Sequence, residues 1–137
     1  MTTTSNVAIV KSVYAAFARG DIDAVLAAMD PGIIWMTPAT LPWSTGDYHG
    51  PTGVADYLAS FARALADPAI VPEEFFDAGD HVVVNGLERA TAAATGCGFT
   101  ARFTHTWTLH DGRAIRMRGV VDTAAIRDCF TLRPAAS

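Results

Sequence analysis

The residue of this chain whose chemistry best suits a reactive site is a histidine on the apolar face of a predicted strand. The stretch Ala101-Arg-Phe-Thr-His-Thr-Trp-Thr-Leu-His110 alternates side-chain types. Because successive strand residues point to opposite faces, His105 shares the apolar face with Ala101, Phe103, Trp107 and Leu109. An unpaired buried polar group costs about 1–3 kcal/mol, so His105 needs a hydrogen-bond partner or a cavity. We predict that His105 is catalytic, as a general base or a hydrogen-bond donor.

The preceding strand offers His105 two charged partners, and the length of the connecting turn decides between them. Opposite residues of an antiparallel pair face the same side, so a three-residue turn places Arg89 across from His105 and a two-residue turn places Glu88 there. Glu88 would raise the imidazole pKa and orient a proton shuttle, whereas Arg89 would lower it and help to polarise a substrate oxygen. An ion pair of Arg89 at the sheet rim, with Glu88, Glu73 or Asp122, is the alternative.

Three further titratable residues are candidates outside this hairpin. Asp122 precedes Thr-Ala-Ala-Ile, a pattern typical of a helix N-cap, but a bulge at Gly119 would turn it inward as a catalytic acid. Asp47 and His49 lie in an aromatic loop that would border a cavity. No metal site is predicted, because the two histidines of the long strand face opposite sides.

The elements that must position these residues form an α+β pattern with helices first. Helical spacing predicts helices over residues 6–18, 22–29 and 52–66, with a closing helix from Asp122-Thr123 to about Phe130. Strands are predicted over residues 33–37, 70–76, 81–95, 99–110 and 114–121. We expect a curved antiparallel sheet over three N-terminal helices, in a single domain of residues 1–137.

Composition excludes several classes of protein. Half of the 137 residues are hydrophobic and the net charge is −4, with ten scattered basic residues, which argues against a nucleic-acid partner. Membrane spans and a secretory signal are not indicated, so a cytoplasmic location is predicted. Cys97 and Cys129 have no metal or redox spacing and are predicted to be free thiols.

Large aromatic residues on the apolar faces favour a ligand pocket between helices and sheet, although such residues also fill ordinary cores. The predicted substrate-binding residues are Tyr14, Phe17, Trp35, Trp43, Tyr57, Phe61, Phe103, Trp107 and Gly119.

An ordered set of fragments resembles the nuclear-transport-factor-2-like superfamily, in its ketosteroid-isomerase-like and SnoaL-like branch. The fragments are Ala16-Phe17 with Gly20-Asp21, Ile33-Ile-Trp35, Leu41-Pro-Trp-Ser-Thr-Gly-Asp-Tyr-His-Gly50, His105-Thr-Trp-Thr-Leu-His-Asp-Gly112 and Val121-Asp122. The resemblance covers nearly the whole chain. It implies a cone-shaped fold with a deep apolar cavity, a homodimer, and the register that places Arg89 opposite His105.

Compared residue by residue, this chain lacks most of the catalytic residues that the resemblance implies. The isomerases' tyrosine donor falls at Val13, their general base near Thr37 and their second acid at His105. The polyketide cyclases share a histidine at His105 but have an aspartate at the position of Gly119. Of the arginine and two aspartates of the family's epoxide hydrolases, only Arg89 remains. No known mechanism of the branch therefore transfers whole.

The leading hypothesis is an enzyme without cofactor that performs proton transfer on an apolar carbonyl or polyketide-like compound, by isomerisation, cyclisation or dehydration. His105, Arg89 and Asp122 form its predicted catalytic set. The alternatives are a non-catalytic ligand-binding or dimerisation domain, and an epoxide hydrolase. The expected partners are an apolar small molecule and a second copy of the chain.

Overall fold

The computed structural model describes residues 5–131, which share one hydrophobic core. Two short helices open the chain, α1 (Asn6–Ala18) and α2 (Ile22–Ala27), and a third, α3 (Gly50–Ala64), follows a long loop. The helix predictions are confirmed to within two residues at each end. Ser5 and Asp21 cap the first two helices, each accepting at 3.1 Å from a backbone N–H three residues later.

Six strands form one sheet in the order β2-β1-β6-β5-β4-β3. Their bounds are β1 (Met29–Met36), β2 (Asp47–His49), β3 (Leu65–Ala78), β4 (His81–Ala92), β5 (Gly98–His110) and β6 (Arg113–Val121). β2 is an additional strand within the predicted aromatic loop that contains Asp47 and His49. The antiparallel expectation holds for every neighbouring pair except β1 and β6, which run parallel, so the sheet is mixed. β6 lies next to β1 in the sheet but follows it in the chain only after β2 to β5. This long connection allows β1 and β6 to run in the same direction.

The inner face of the sheet packs against the helices, with α1 against β3 and β4 and α3 against β1. Along β4 and β5 every second residue is buried or lines the interior, which confirms the predicted alternation around His105. On α3 the apolar residues Val54, Tyr57, Leu58 and Phe61 lie at helical spacing and are buried. Helices and sheet thus leave their apolar surfaces facing one another, and the candidate site lies between them.

The C-terminal helix α4 (Thr123–Thr131) closes the described chain and packs against β5. The free-thiol prediction is wrong, because Cys97 and Cys129 are joined in a disulfide between the β4–β5 turn and α4. Thr95 reinforces this junction by donating its hydroxyl to the Cys129 carbonyl at 2.7 Å. Sequence spacing of 32 residues gave no sign of the contact, which depends on the hairpin bringing its turn to the helix.

No helix within residues 5–131 is long and apolar enough to cross a membrane.

Candidate functional site

A cavity of about 80 Å³ lies between the inner face of the sheet and the helices, and it opens to solvent. Seven of the predicted substrate-binding residues line it, together with His105: Tyr14, Phe17, Trp35, Tyr57, Phe61, Trp107 and Gly119. An engineered cavity of ~150 Å³ holds benzene. A cavity about half that size encloses one functional group or part of a ring, and the rest of a ligand must extend through the mouth.

Two predicted pocket residues lie behind the cavity wall instead. Trp43 is buried and donates its indole N–H to the Tyr57 hydroxyl at 3.1 Å. Phe103 stacks on the His105 ring, with 4.1 Å between ring centroids. Both therefore support residues that line the cavity.

The polar centre of the cavity is a chain of three side chains from two elements. Trp107 of β5 donates its indole N–H to the hydroxyl oxygen of Tyr14 at 3.0 Å. The Tyr14 oxygen lies 2.6 Å from Nδ1 of His105. His105 and Trp107 share a face of β5, while Tyr14 stands on the buried face of α1, so helix packing on the sheet completes the chain.

The hydrogen-bond partners favour one tautomer of His105. An indole N–H only donates, so the Tyr14 oxygen accepts from Trp107, and within residues 5–131 the acceptor in reach of the Tyr14 proton is Nδ1 of His105. Nδ1 then carries no proton, and the neutral ring carries it on Nε2. Among residues 5–131, the one buried side-chain nitrogen or oxygen without a partner is Nε1 of Trp35, whereas Nε2 of His105 is unpaired but reaches the cavity. His105 thus presents an N–H donor to a ligand.

Burial keeps this arrangement neutral. Desolvation lowers the pKa of His105 from 6.5 to about 3, because the apolar surroundings disfavour the imidazolium. Burial also raises the pKa of Tyr14 well above its ordinary value, against a smaller opposite effect of the Trp107 hydrogen bond. At neutral pH a tyrosine hydroxyl and a neutral imidazole therefore face each other. His105 acts there as a donor, and the general-base alternative loses its free nitrogen.

Both predicted partners of His105 in β4 are wrong, because the register differs from either assumed turn. His105 lies opposite Val84, and Glu88 lies opposite Ala101. Ala92 pairs with the residue after Gly96, so the connection has four residues, 93–96, rather than two or three. Gly96 adopts a positive φ of 74°, a conformation that glycine takes without strain and that closes this longer turn.

The other two members of the predicted catalytic set lie away from the cavity. Arg89 is exposed on the outer face and borders a shallow depression with Asp67 and Thr100, so it makes no contact with His105. Asp122 is exposed and caps α4, where Oδ1 accepts from the backbone N–H of Ala125 at 3.2 Å. Strand alternation explains why Arg89 points away from the cavity, since the β4 residues on the same face as His105 are even-numbered.

The carboxylate that does reach the cavity is Glu88, which the sequence offered only as an alternative. It is 6% exposed and lines the cavity with His105. Desolvation raises its pKa from 4.5 to about 7. The sequence could have predicted this inward position of Glu88, because the apolar residues Val82, Val84 and Ala90 lie on the same face of β4.

Metal ligands do not gather in the part of the chain that the structure describes: no three His, Cys, Asp or Glu side chains come close enough to hold an ion. Asp47 and His49 lie on the edge strand β2, both exposed and outside the cavity lining.

Comparison with known proteins places this geometry in a family. The family model of the SnoaL-like domain matches residues 10–117. The chain belongs to the SnoaL-like domain family. No curated protein matches it.

Solved structures agree with this assignment. An NTF2-like protein of unknown function from Burkholderia pseudomallei is 32% identical, with a TM-score of 0.87 over 95% of this chain and 100% of that one. TerC, co-crystallised with polyporic acid, is also 32% identical, with a TM-score of 0.84 over 93% and 98%. An NTF2-like protein from Burkholderia thailandensis shares the fold at 24% identity, with a TM-score of 0.90 over 95% and 100%.

The positions at which the sequence resemblance implied catalytic groups line the cavity of this SnoaL-like protein but hold other residues. Val13, Thr37 and Gly119 all line it. The Thr37 hydroxyl is hydrogen-bonded to the Ser44 hydroxyl at 2.6 Å and donates to the Gly46 carbonyl at 2.7 Å. The reactive groups at the cavity are therefore His105 and Glu88.

Proposed function

We propose that this SnoaL-like protein catalyses proton transfer next to a carbonyl group of an apolar compound, without a cofactor. Isomerisation, cyclisation and dehydration all contain this step. The observation that carries the proposal is the placement of His105, whose Nδ1 is held by the Tyr14–Trp107 chain and whose Nε2 is open to a mostly apolar cavity. A donor held in place before the reaction stabilises the negative charge that develops on the oxygen of an enolate.

The neutrality of His105 favours this function. A neutral imidazole donates to a carbonyl oxygen without an imidazolium having to be buried, and the donor's strength is greatest where water is excluded. The cavity walls are mostly aromatic and aliphatic, which matches an apolar or aromatic carbonyl compound. TerC was co-crystallised with polyporic acid, a hydroxyquinone, and this supports an aromatic carbonyl compound as a ligand here.

The epoxide hydrolase alternative loses its support from Arg89, which lies outside the cavity. Non-catalytic binding remains an alternative, because Thr37 and Gly119 occupy the positions at which the resemblance implies carboxylates. A proton-exchange experiment separates it from catalysis.

The experiment uses cyclohex-3-enone, a small ketone whose carbonyl end can enter the cavity through its mouth, in deuterated water. Proton NMR follows deuterium entry next to the carbonyl and conversion to cyclohex-2-enone. His105→Phe keeps the stacked ring but removes the donor, and we expect a loss of about 100-fold or more, as for removal of one oxyanion donor. His81→Phe, at an exposed histidine of β4, is the matched control and should keep the wild-type rate.

Two results would contradict the proposal. An unchanged rate in His105→Phe would remove His105 from the reaction. Saturable binding of the ketone by the wild type with no proton exchange would establish the non-catalytic function instead.

The proposal includes a homodimer through the outer face of the sheet, where Val120 is 58% exposed beside polar strand residues. Sedimentation velocity checks it. The Cys97–Cys129 disulfide argues against the cytoplasmic location predicted from the sequence, because structural disulfides are rare in the cytosol.

A further inference from the structure

Glu88 is the one charged side chain that is buried within residues 5–131. Its carboxyl group makes no hydrogen bond or ion pair with any described residue, and its oxygens are not among the sealed-off unpaired atoms, so they reach the cavity. A carboxylate left unpaired in an apolar wall costs folding free energy, and a ligand of opposite charge offsets that cost when it binds. The carboxyl group of Glu88 thus faces a ligand rather than another part of the fold.

The sheet around Glu88 is apolar. Its partners on the neighbouring strands are Ile70 of β3 and Ala101 of β5. Gly86 and Ala90 stand two residues away on the same face of β4. None of these residues has a polar side-chain atom, and within residues 5–131 no lysine or arginine lines the cavity. The described chain therefore leaves the charge of this carboxylate unbalanced.

Aromatic rings from two helices form a wall of the same cavity. This aromatic wall consists of Tyr57 and Phe61 of α3 and Phe17 of α1. Ring centroids are 6.4 Å apart for Tyr57 and Phe61 and 5.7 Å apart for Phe17 and Phe61. Burial raises the pKa of the Tyr57 hydroxyl, and the nearby Glu88 carboxylate raises it further, so the wall lies within range of that charge. The face of an aromatic ring attracts a cation, most strongly where water is excluded.

The hydrogen-bond acceptors of the cavity decide what kind of cation fits. The Tyr14 and Tyr57 oxygens each accept from a tryptophan N–H, and the Thr37 hydroxyl is already bonded to the loop that follows β1. A primary ammonium has three N–H donors and would leave some of them unpaired beside Glu88. A tertiary ammonium has one N–H, which a carboxylate can accept, and its carbon substituents suit the aromatic wall.

We propose that the cavity binds a tertiary ammonium group, with Glu88 as its counter-ion and acceptor and the aromatic wall around its carbon substituents. The N–H of the ligand donates to the Glu88 carboxylate in a charge-assisted hydrogen bond. This inference goes beyond the proposed proton transfer, and it applies to a catalytic and to a non-catalytic protein alike.

The ammonium site is remote from the His105 donor. His105 is paired with Val84, four residues from Glu88 along β4. This places the backbone positions of His105 and Glu88 about 13 Å apart along the strands. A small amine therefore reaches Glu88 without contacting His105, and a test of the ammonium site needs no carbonyl group in the ligand.

The test compares N,N-dimethylbenzylamine, which stays protonated from pH 5.5 to 8, with isobutylbenzene, in which a neutral CH replaces the charged N–H. Nitrogen-15 NMR follows the indole signals of Trp35 and Trp107, which line the cavity, as each compound is added. At pH 8 we expect the wild type to bind the amine about tenfold or more tightly than the hydrocarbon.

Variants of Glu88 separate its charge from its shape. Glu88→Gln removes the charge, so its affinity for the amine should fall about tenfold or more while its affinity for isobutylbenzene stays that of the wild type. Glu88→Asp retains a carboxylate and should keep part of the preference for the amine. Glu74→Gln, on the exposed side of β3, is the matched control and should behave as the wild type.

The pH dependence of binding provides a second readout. Burial raises the pKa of Glu88 from 4.5 to about 7, so its charge is present above that pH and is lost below it. Tyr14, Tyr57 and His105 face the cavity as neutral groups throughout this range. The wild-type affinity for the amine should therefore rise from pH 5.5 to 8, and this rise should vanish in Glu88→Gln.

Equal affinity of the wild type for the amine and the hydrocarbon, or an unchanged amine affinity in Glu88→Gln, would overturn the ammonium site. Absence of amine binding at pH 8 would overturn it as well. None of these results depends on ketone exchange, so the proposed function is tested separately.

Discussion

The hydroxyl oxygen of Tyr14 lies 2.6 Å from Nδ1 of His105, although 91 positions separate the two residues in the chain. Trp107 donates to the same oxygen, and Nδ1 of His105 is the acceptor within reach of the Tyr14 proton among residues 5–131, so that proton is assigned to His105. The proton of the imidazole is thereby placed on the nitrogen that faces the cavity. A helix residue thus sets the chemistry of a strand residue.

Replacing Tyr14 with Phe tests this relationship directly. The change leaves Trp107 Nε1 and His105 Nδ1 without partners, so we expect the unfolding free energy to fall by about 1–3 kcal/mol. His105 is then free to populate both tautomers, and the ketone exchange rate should fall about tenfold or more. Nitrogen-15 NMR of the imidazole reads the tautomer, and urea unfolding reads the stability.

Tyr48→Phe is the control for this substitution. The Tyr48 hydroxyl accepts from the backbone N–H of Thr45 outside the cavity, so its loss should leave the His105 tautomer unchanged. A single Nε2–H tautomer persisting in Tyr14→Phe would show that Tyr14 does not control it.

The pKa of Glu88 predicts how its contribution to stability depends on pH. Since the folded pKa is about 7 and the ordinary value is 4.5, the folded protein binds the proton more tightly than the unfolded chain. Its contribution is complete below pH 4.5 and is lost as the pH rises through 7, by up to about 3 kcal/mol. Urea unfolding from pH 4.5 to 8 measures the change.

Glu88→Gln isolates that contribution from other titrations. His105 acts in the opposite sense, because its lowered pKa makes stability fall as the pH decreases below 6.5. The difference between wild type and Glu88→Gln removes this common effect. A pH-independent difference would mean that Glu88 titrates normally in the folded protein.

Two tryptophans of the cavity wall should respond differently to replacement by Phe. Nε1 of Trp35 is buried without a partner among residues 5–131, so Trp35→Phe removes a desolvation penalty along with some packing. We expect its unfolding free energy to change by less than about 1 kcal/mol. Trp107→Phe removes the donor to Tyr14 and should cost about 1–3 kcal/mol. Equal losses in urea unfolding would contradict the difference in pairing.

The disulfide should stabilise the fold chiefly by restricting the conformations of the unfolded chain. Closing a loop between residues 32 positions apart corresponds to about 3–4 kcal/mol in the chain-entropy description. Dithiothreitol should therefore lower the urea midpoint of the wild type, while Cys97→Ser with Cys129→Ser should show the lower midpoint in either condition. A wild-type midpoint insensitive to the reductant, with the thiols shown to be reduced, would rule out this contribution.

Much of the fold was predictable because it depends on local patterns. The stripe of α3 and the alternation around His105 are periodicities of 3.6 and 2 residues, which the sequence displays directly. The capping roles of Asp21 and Asp122 follow from the residue types at helix starts. The parallel pairing of β1 with β6 was not predictable in this way, since it joins distant strands.

In the candidate site, too, the local patterns were predictable and the long-range contacts were not. The sequence by itself determined that His105 faces the apolar side and that aromatic residues surround it, because side-chain direction follows from strand and helix geometry. Only the tertiary structure decided that Tyr14 binds Nδ1, that Glu88 rather than Arg89 reaches the cavity, and that Cys97 meets Cys129. These contacts depend on one turn length and on how helices dock on the sheet. A one-residue change in register reverses every facing side chain, and no local pattern in the sequence specifies it.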